Sequence, residues 1–320
     1  MFALGRFVTL VKLGCLPYTA VVADLQGMLT LDVEDWEHAN FAQLHGRHAE
    51  LTASVRRRRY AIDANTDRWI ELLAHAGAVS TCFVLGEFAE RYPAAVKRLA
   101  AAGHELASHG ATHERVDGMQ RLEFREFLKR GVGIVGDLAG QRPLGFRAPS
   151  WSGAGPAWFC DELREQGLRY DSSVFPAGTP MFGARGVPLG CYWERGILRV
   201  PATVLRLGPV RLPLANGAFF RLAPLACLRR GLLRAARDGL PAMIVLHPRE
   251  LDPRHPRLPL RGWNGVVHYA RLLTTEPKLR ALLGILRWRS IRQALAATLA
   301  LQGERAPVAA ASADTGDMRG

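Results

Sequence analysis

Long apolar runs are missing: no window reaches ~18 consecutive apolar residues free of charge, so no membrane-spanning helix is expected. No long internal period recurs, which excludes a solenoid. Cysteine is scarce. Its five residues, Cys15, Cys82, Cys160, Cys191 and Cys227, are odd in number, scattered, and never paired as C-x-x-C. That excludes a disulfide framework and a cysteine-built metal site. Cys82, inside the apolar run Ser80 to Leu85, reads as a small buried hydrophobe. Lysine is almost absent, at 4 of the 42 basic residues. What is present is ordinary for a globular chain: 320 residues, 48% hydrophobic and 22% charged, enough to bury a sizeable core as one large or two ordinary domains.

The net charge of +13 is unevenly spread. Residues 1–160 carry 18 basic and 17 acidic side chains, whereas 161–320 carry 24 and 12. The dense run Arg56 to Arg59 reads as a solvated face. The basic second half suggests attraction to an anionic membrane surface rather than to nucleic acid.

Strands and helices alternate along the chain. Residues 1–27 read as an extension, either a mis-assigned start or a weak signal-like segment, since Pro17, Tyr18 and Thr19 interrupt its apolar part. Residues 302–320, rich in Ala, Gly, Ser and Asp, read as a disordered tail. Between them, Leu29–Val33, Val79–Leu85, Glu105–Ser108 and Pro241–Leu246 have the pattern of buried strands. Helices are expected near Asp67–Ala76, Pro93–Ala102, Arg121–Leu138 and Lys278–Leu301. Repeated strand-then-helix units mean a parallel sheet or barrel with its chemistry at the carboxyl ends of the strands.

Polar residues gather at those ends. The first strand runs into Asp32-Val33-Glu34-Asp35-Trp36, three carboxylates in four residues, a costly arrangement unless a cation or protons neutralise it. On a strand Asp32 and Glu34 share one side and Asp35 takes the other, unless the chain leaves the sheet there. In Ser108-His109-Gly110-Ala111-Thr112-His113 the imidazoles are four apart, so one turn brings both to a divalent metal. Two histidines and one carboxylate leave coordination positions for water and substrate, as a catalytic site requires. Arg147, between apolar neighbours in Gly145-Phe146-Arg147-Ala148-Pro149-Ser150-Trp151, needs a carboxylate, and Asp32 is the expected partner. Asp171 and His247 also close short apolar stretches.

Taken in order, these motifs resemble the polysaccharide deacetylases of carbohydrate esterase family 4, the NodB-homology group, over residues 28–301. The chain is most similar to the branch found in exopolysaccharide loci of exosortase-bearing bacteria, with a family-specific carboxyl-terminal part from about 248. The resemblance implies a distorted (β/α) barrel with fewer than eight strands. It also implies a divalent metal, zinc first, with cobalt, manganese or nickel as other candidates, held by His109, His113 and either Glu34 or Asp35. Glu34 is preferred because it would share a strand face with Asp32. Asp32 is then the base, Arg147 its anchor and His247 the acid, with Asp171 favouring the imidazolium; Trp36, Pro149 and Trp151 would line the sugar groove. The substrate implied is an N-acetylated polysaccharide or its lipid-linked precursor, handled in the cytoplasm or at the inner membrane, with export left open. Two departures stand out. Common relatives have adjacent aspartates where Val33 and Glu34 intervene here, and Arg249 stands where near relatives carry an aromatic. The rival expectations are an allantoinase-like or imidase-like amidase on the same scaffold, and a non-catalytic binder of anionic glycan or membrane.

Overall fold

In the computed structural model the described residues are 25–38 and 63–300, apart from 154–155, 179–182, 184–185, 209, 215, 258–259 and 261. The amino-terminal segment through residue 24, the arginine run at 56–59 and the tail beyond 300 lie outside them, as does the side chain of Trp263.

Eleven strands are formed among the described residues: β1 (Gln26–Val33), β2 (Thr81–Val84), β3 (Glu105–Ser108), β4 (Gly145–Phe146), β5 (Tyr170–Asp171), β6 (Tyr192–Glu194), β7 (Ile197–Arg199), β8 (Val204–Leu207), β9 (Val210–Pro213), β10 (Met243–Leu246) and β11 (Arg287–Arg289). The main sheet runs β10-β1-β2-β3-β4-β5-β7-β6, with β11 also paired to β1. From β10 to β7 the seven strands are all parallel. Only β6 turns back, antiparallel to β7, while β8 and β9 make a separate hairpin. This curled, incomplete barrel matches the expectation of fewer than eight barrel strands.

The alternation of strand side chains sorts the core into two layers. Leu29, Leu31 and Val33 of β1, Cys82 and Val84 of β2, and Ile244 and Leu246 of β10 pack with Trp69, Leu72, Phe88, Val96 and Leu99 from the helices. Met28, Phe83, Ala107, Met243 and Val245 face the other way and meet Tyr170, Leu198 and Val200. Both faces are covered, which is why these strands read as unbroken apolar runs. Cys82 is fully buried, and desolvation pushes its thiol up to about 12.

The helices that frame the site are α1 (Asp63–His75), α2 (Gly86–Arg91), α3 (Pro93–Ala101) and α4 (Arg121–Ala139). Helix α1 stops before Gly77, whose φ of 59° favours a residue without a Cβ. Helix α4 starts on a reciprocal cap, with the Gln120 amide donating to Glu123 Oε2 at 3.2 Å.

One expected helix is corrected. The segment from Lys278 to Leu301 is not continuous: a helix over Thr275–Leu283 ends, β11 follows, and short helices occupy Ile291–Ala294 and Ala296–Ala300. Trp288 is 3% exposed, and its indole N–H donates to the Leu282 carbonyl at 2.9 Å. Burying that side chain while pairing β11 with Gln26–Met28 outweighs local helix propensity.

Candidate active site

Asp32 is the last inward-facing residue of β1. Beyond Val33 the chain leaves the sheet, with the Glu34 amide donating to the Asp32 carbonyl at 3.1 Å. Asp32 is buried, and Arg147 Nη1 reaches its Oδ1 at 2.5 Å. The same guanidinium donates to Thr30 Oγ1 at 3.0 Å and to Ser172 Oγ and O at 3.0 and 3.1 Å. It lies 4.1 Å from the Phe83 ring centroid and 4.7 Å from that of Trp151. Arg147 is thus locked from every side and holds one oxygen of Asp32 in place.

The loop after β3 carries both histidines. Gly110 adopts a φ of 93°, with the Phe127 ring where a Cβ would sit. Helix α4 comes so close that a Cβ on Gly131 would lie 2.5 Å from the Gly110 carbonyl carbon. His109 Nδ1 is 2.7 Å from the Arg147 carbonyl, so it donates there and leaves Nε2 as a lone pair. The His113 amide donates to Glu87 Oε1 at 3.2 Å, and its ring stacks on His38 at 5.5 Å between centroids. His38 in turn accepts from the Asp35 amide at 3.0 Å and bonds Glu87 at 3.0 Å through Nε2.

Glu34, His109 and His113 each bring one ligand atom within 4.8 Å of the others. Glu34 Oε2 is 2.8 Å from His113 Nε2 and 3.8 Å from His109 Nε2. Yet that oxygen is buried without a hydrogen-bond partner. Lone pairs converging on one point fit a cation between them better than they fit each other. Burial raises the Glu34 carboxyl, but His113, His247 and His109 overcome it and hold the group well below the usual carboxylate range. Burial lowers His109 to about 4, so it stands ready as a neutral ligand.

Of the two carboxylates left open by the sequence, Asp35 is the one turned away. Its Oδ2 receives Arg91 Nη1 at 3.0 Å and the Tyr92 hydroxyl at 3.2 Å, and its Oδ1 receives the Trp36 amide at 2.8 Å. Trp36 departs from its expected place in the groove: it is 4% exposed and packs in the helix-side core. Pro149 is buried at the start of a 3-10 turn, Pro149–Trp151. Trp151 is half-buried, stands over Arg147 and meets Phe175 edge-on at 5.3 Å.

His247 closes β10 and points into the same place. Its Nε2 is 4.0 Å from Asp32 Oδ2 and 3.7 Å from Glu34 Oε1. Its expected partner, Asp171, is elsewhere. Asp171 lies against Arg199 at 3.0 Å and accepts from the Ser173 amide and hydroxyl, and Ser173 Oγ receives the Ala148 amide at 2.8 Å. Asp171 therefore braces the loop carrying Arg147. The partner of His247 is Glu250, whose Oε2 takes His247 Nδ1 at 2.9 Å while Oε1 takes Arg221 Nε at 3.0 Å. Burial lowers the His247 pKa, but Glu250, with help from Glu34, reverses this and raises it. Glu250 itself is held near 2, its burial offset by His247 and Arg221. Glu250, His38 and Glu87 were missed from the sequence. The one usable signal was the three-residue spacing in His247-Pro248-Arg249-Glu250, which a 3-10 turn over Pro248–Leu251 folds back on itself.

Residues 59–170 match the family model for polysaccharide deacetylases, and 172–296 match a domain of unknown function, DUF3473. A peptidoglycan deacetylase from Helicobacter pylori is 28% identical over 137 residues, 42% of this chain and 45% of its own length. The chain spans less than half the length of the curated relatives it matches. Two solved structures named provisionally as polysaccharide deacetylases share the fold. One, from Pseudomonas aeruginosa PAO1, has a TM-score of 0.55 at 18% identity, covering 88% of this chain and 93% of that one. The other, from Mycobacterium smegmatis, has a TM-score of 0.54 at 20% identity, covering 88% and 92%. His109, His113 and Arg147 fall inside the matched segment, and β1 with β10 completes their setting on the shared fold. The chain carries a polysaccharide deacetylase domain of the NodB-homology, carbohydrate esterase family 4 kind.

Proposed function

We propose that this chain hydrolyses N-acetyl groups of amino sugars in a metal-dependent reaction, with Glu34, His109 and His113 holding the cation. The observation that supports this most is the convergence of a carboxylate, two buried imidazoles, Asp32 and His247 at the carboxyl ends of β1, β3 and β10. A bound divalent cation, zinc first, supplies Lewis acidity that activates a water and polarises an acyl oxygen. Asp32, with Oδ1 held by Arg147, presents Oδ2 to take the proton from the attacking water. His247, kept protonated by Glu250, delivers its Nε2 proton to the departing amine. Arg147 fixes the base so that no reorganisation is needed when charge moves.

The reading extends to an exopolysaccharide or its lipid-linked precursor, handled in the cytoplasm or at the inner membrane. Supporting it are the basic second half and the exposed apolar side chains Val210, Leu212, Phe219, Leu222 and Leu225. No helix among the described residues is long and apolar enough to cross a membrane. The test is acetate release from N-acetylated oligosaccharides with added zinc. Wild type should release acetate, and Asp32→Asn and His113→Ala should lose it by about 100-fold or more. No release from wild type with any divalent cation would end the proposal.

A further inference from the structure

Beside the catalytic centre, the segment after His247 buries more positive charge than it neutralises. Arg221 is accounted for: it pairs with Glu250 and donates to the carbonyls of Val267, His268 and Ala270. Lys278 is accounted for by the carbonyls of Phe220, Arg221 and Ala223. Arg249 is not. It is 8% exposed, its Nε has no hydrogen bond, and its Nη1 lies 3.5 Å from His268 Nδ1. The nearest carboxylate in sequence, Glu250, has both oxygens occupied by Arg221 and His247. Asp252 Oδ1 receives the Arg254 amide.

Two buried imidazoles stand with Arg249. His255 is 2% exposed; its Nδ1 is tied to the Asp252 carbonyl at 2.8 Å, and its Nε2 is buried without a partner. His268 is equally buried, with its ring centroid 5.9 Å from that of His255. Arg249 carries the charge of this group: burial, then the guanidinium, lowers His255 to about 4 and His268 well below the ordinary imidazole range, so both rings stand neutral beside it, and Arg249 also acts on His247. Among the described residues Arg249 forms no ion pair, and the one carboxylate charge it shares, that of Glu250, is hydrogen-bonded elsewhere; a buried guanidinium so placed is costly, and an arginine fork suits an oxyanion with two oxygens.

We propose that Arg249, with His255 and His268, seats an oxyanion carried by the substrate, a carboxylate or a phosphate, next to the acid His247. The guanidinium supplies the charge. His255 Nε2 accepts from a hydroxyl beside that anion, or donates once the anion has favoured its protonation. The proposal rests on the deacetylase reading and adds to it that the N-acetylated glycan is acidic.

The test uses the full-length, zinc-loaded protein with inorganic phosphate, glucuronate and methyl diphosphate as probes, read by calorimetry and by the unfolding midpoint. Wild type should bind an anion, and Arg249→Met should bind it about tenfold or more weakly. Phosphate taken up by the metal is common to both proteins and cancels in the comparison. Without anion the unfolding midpoint of Arg249→Met should equal or exceed that of wild type, because the variant removes a buried charge that has no ion pair among the described residues. A preference for glucuronate points to a uronic acid in the polymer; a preference for methyl diphosphate points to a lipid-linked precursor. In turnover, the ratio of kcat/KM for acidic over neutral N-acetylated oligosaccharides should fall about tenfold in Arg249→Met. Arg249→Gln serves should the methionine variant not fold. Equal anion binding by wild type and variant, or none by wild type, overturns the seat. Anion binding lost with Arg249 in a protein that releases no acetate from any substrate would leave the seat standing and remove the deacetylase reading instead.

Discussion

Replacing Glu250 by glutamine separates the two candidate partners of the acid His247. Glu250 Oε2 is 2.9 Å from His247 Nδ1, whereas Asp171 is engaged with Arg199 and Ser173. A hydrogen bond to a charged group is worth about 1.5–3 kcal/mol net. At 1.36 kcal/mol per pKa unit, Glu250→Gln should lower the His247 pKa by about 1–2 units. The sign follows from the direction of the shift. The folded-state pKa of His247 is raised, so the imidazolium survives to higher pH and the acid works below that pKa. Losing the Glu250 charge removes the support, and the alkaline limb of kcat/KM moves to lower pH by the same amount. The same substitution strips Arg221 of its counter-ion, so stability should drop by about 3–5 kcal/mol, which urea unfolding will register separately. Asp171→Asn should lower activity by loosening the Ala148 loop yet leave the alkaline limb in place. A limb that moves with Asp171→Asn and stays with Glu250→Gln would refute the reasoning.

Two further perturbations probe the scaffold around the site. Arg147→Met leaves Asp32 buried without its partner and should cost about 3–5 kcal/mol in urea unfolding; a loss under about 1 kcal/mol would mean that the pair contributes no more than a surface one. In helix α4, Gly131→Ala would set a methyl 2.5 Å from the Gly110 carbonyl carbon and 2.8 Å from the Ala111 amide, both unyielding backbone. It should destabilise by about 1–3 kcal/mol and weaken zinc binding by displacing the loop between His109 and His113. Gly133→Ala, two residues on with nothing within 4 Å, should instead stabilise by up to about 1 kcal/mol. Equal midpoints for the two variants would contradict the close approach of α4 to the loop.

What the sequence disclosed was what is local. β1 and β3 are buried on both faces, so their apolar runs and the polar residues at their carboxyl ends, Asp32 and His109, stand out by eye. The Arg147 to Asp32 pair followed because a buried guanidinium needs a carboxylate, and few lie at the right ends of strands. What stayed hidden depends on non-local pairing or on a single turn. Trp36 was assigned to the groove by the family resemblance; the chain leaves the sheet after Val33 and drops the indole into the core. Asp171 looked like a partner for His247 because both end short strands, but Arg199 of β7, 28 positions later, claims its charge. The helix expected to Leu301 yields to β11, whose pairing with β1 joins residues far apart in the chain.

The most direct test of the account is zinc binding measured by calorimetry on the wild type and on single variants that retain the folded unfolding transition. Wild type should take up one equivalent; Glu34→Ala, His109→Ala and His113→Ala should each weaken it by about 100-fold or more, and Asp35→Asn should leave it near wild type. One equivalent bound unchanged by His113→Ala, or lost in Asp35→Asn while His109 and His113 are intact, would contradict it.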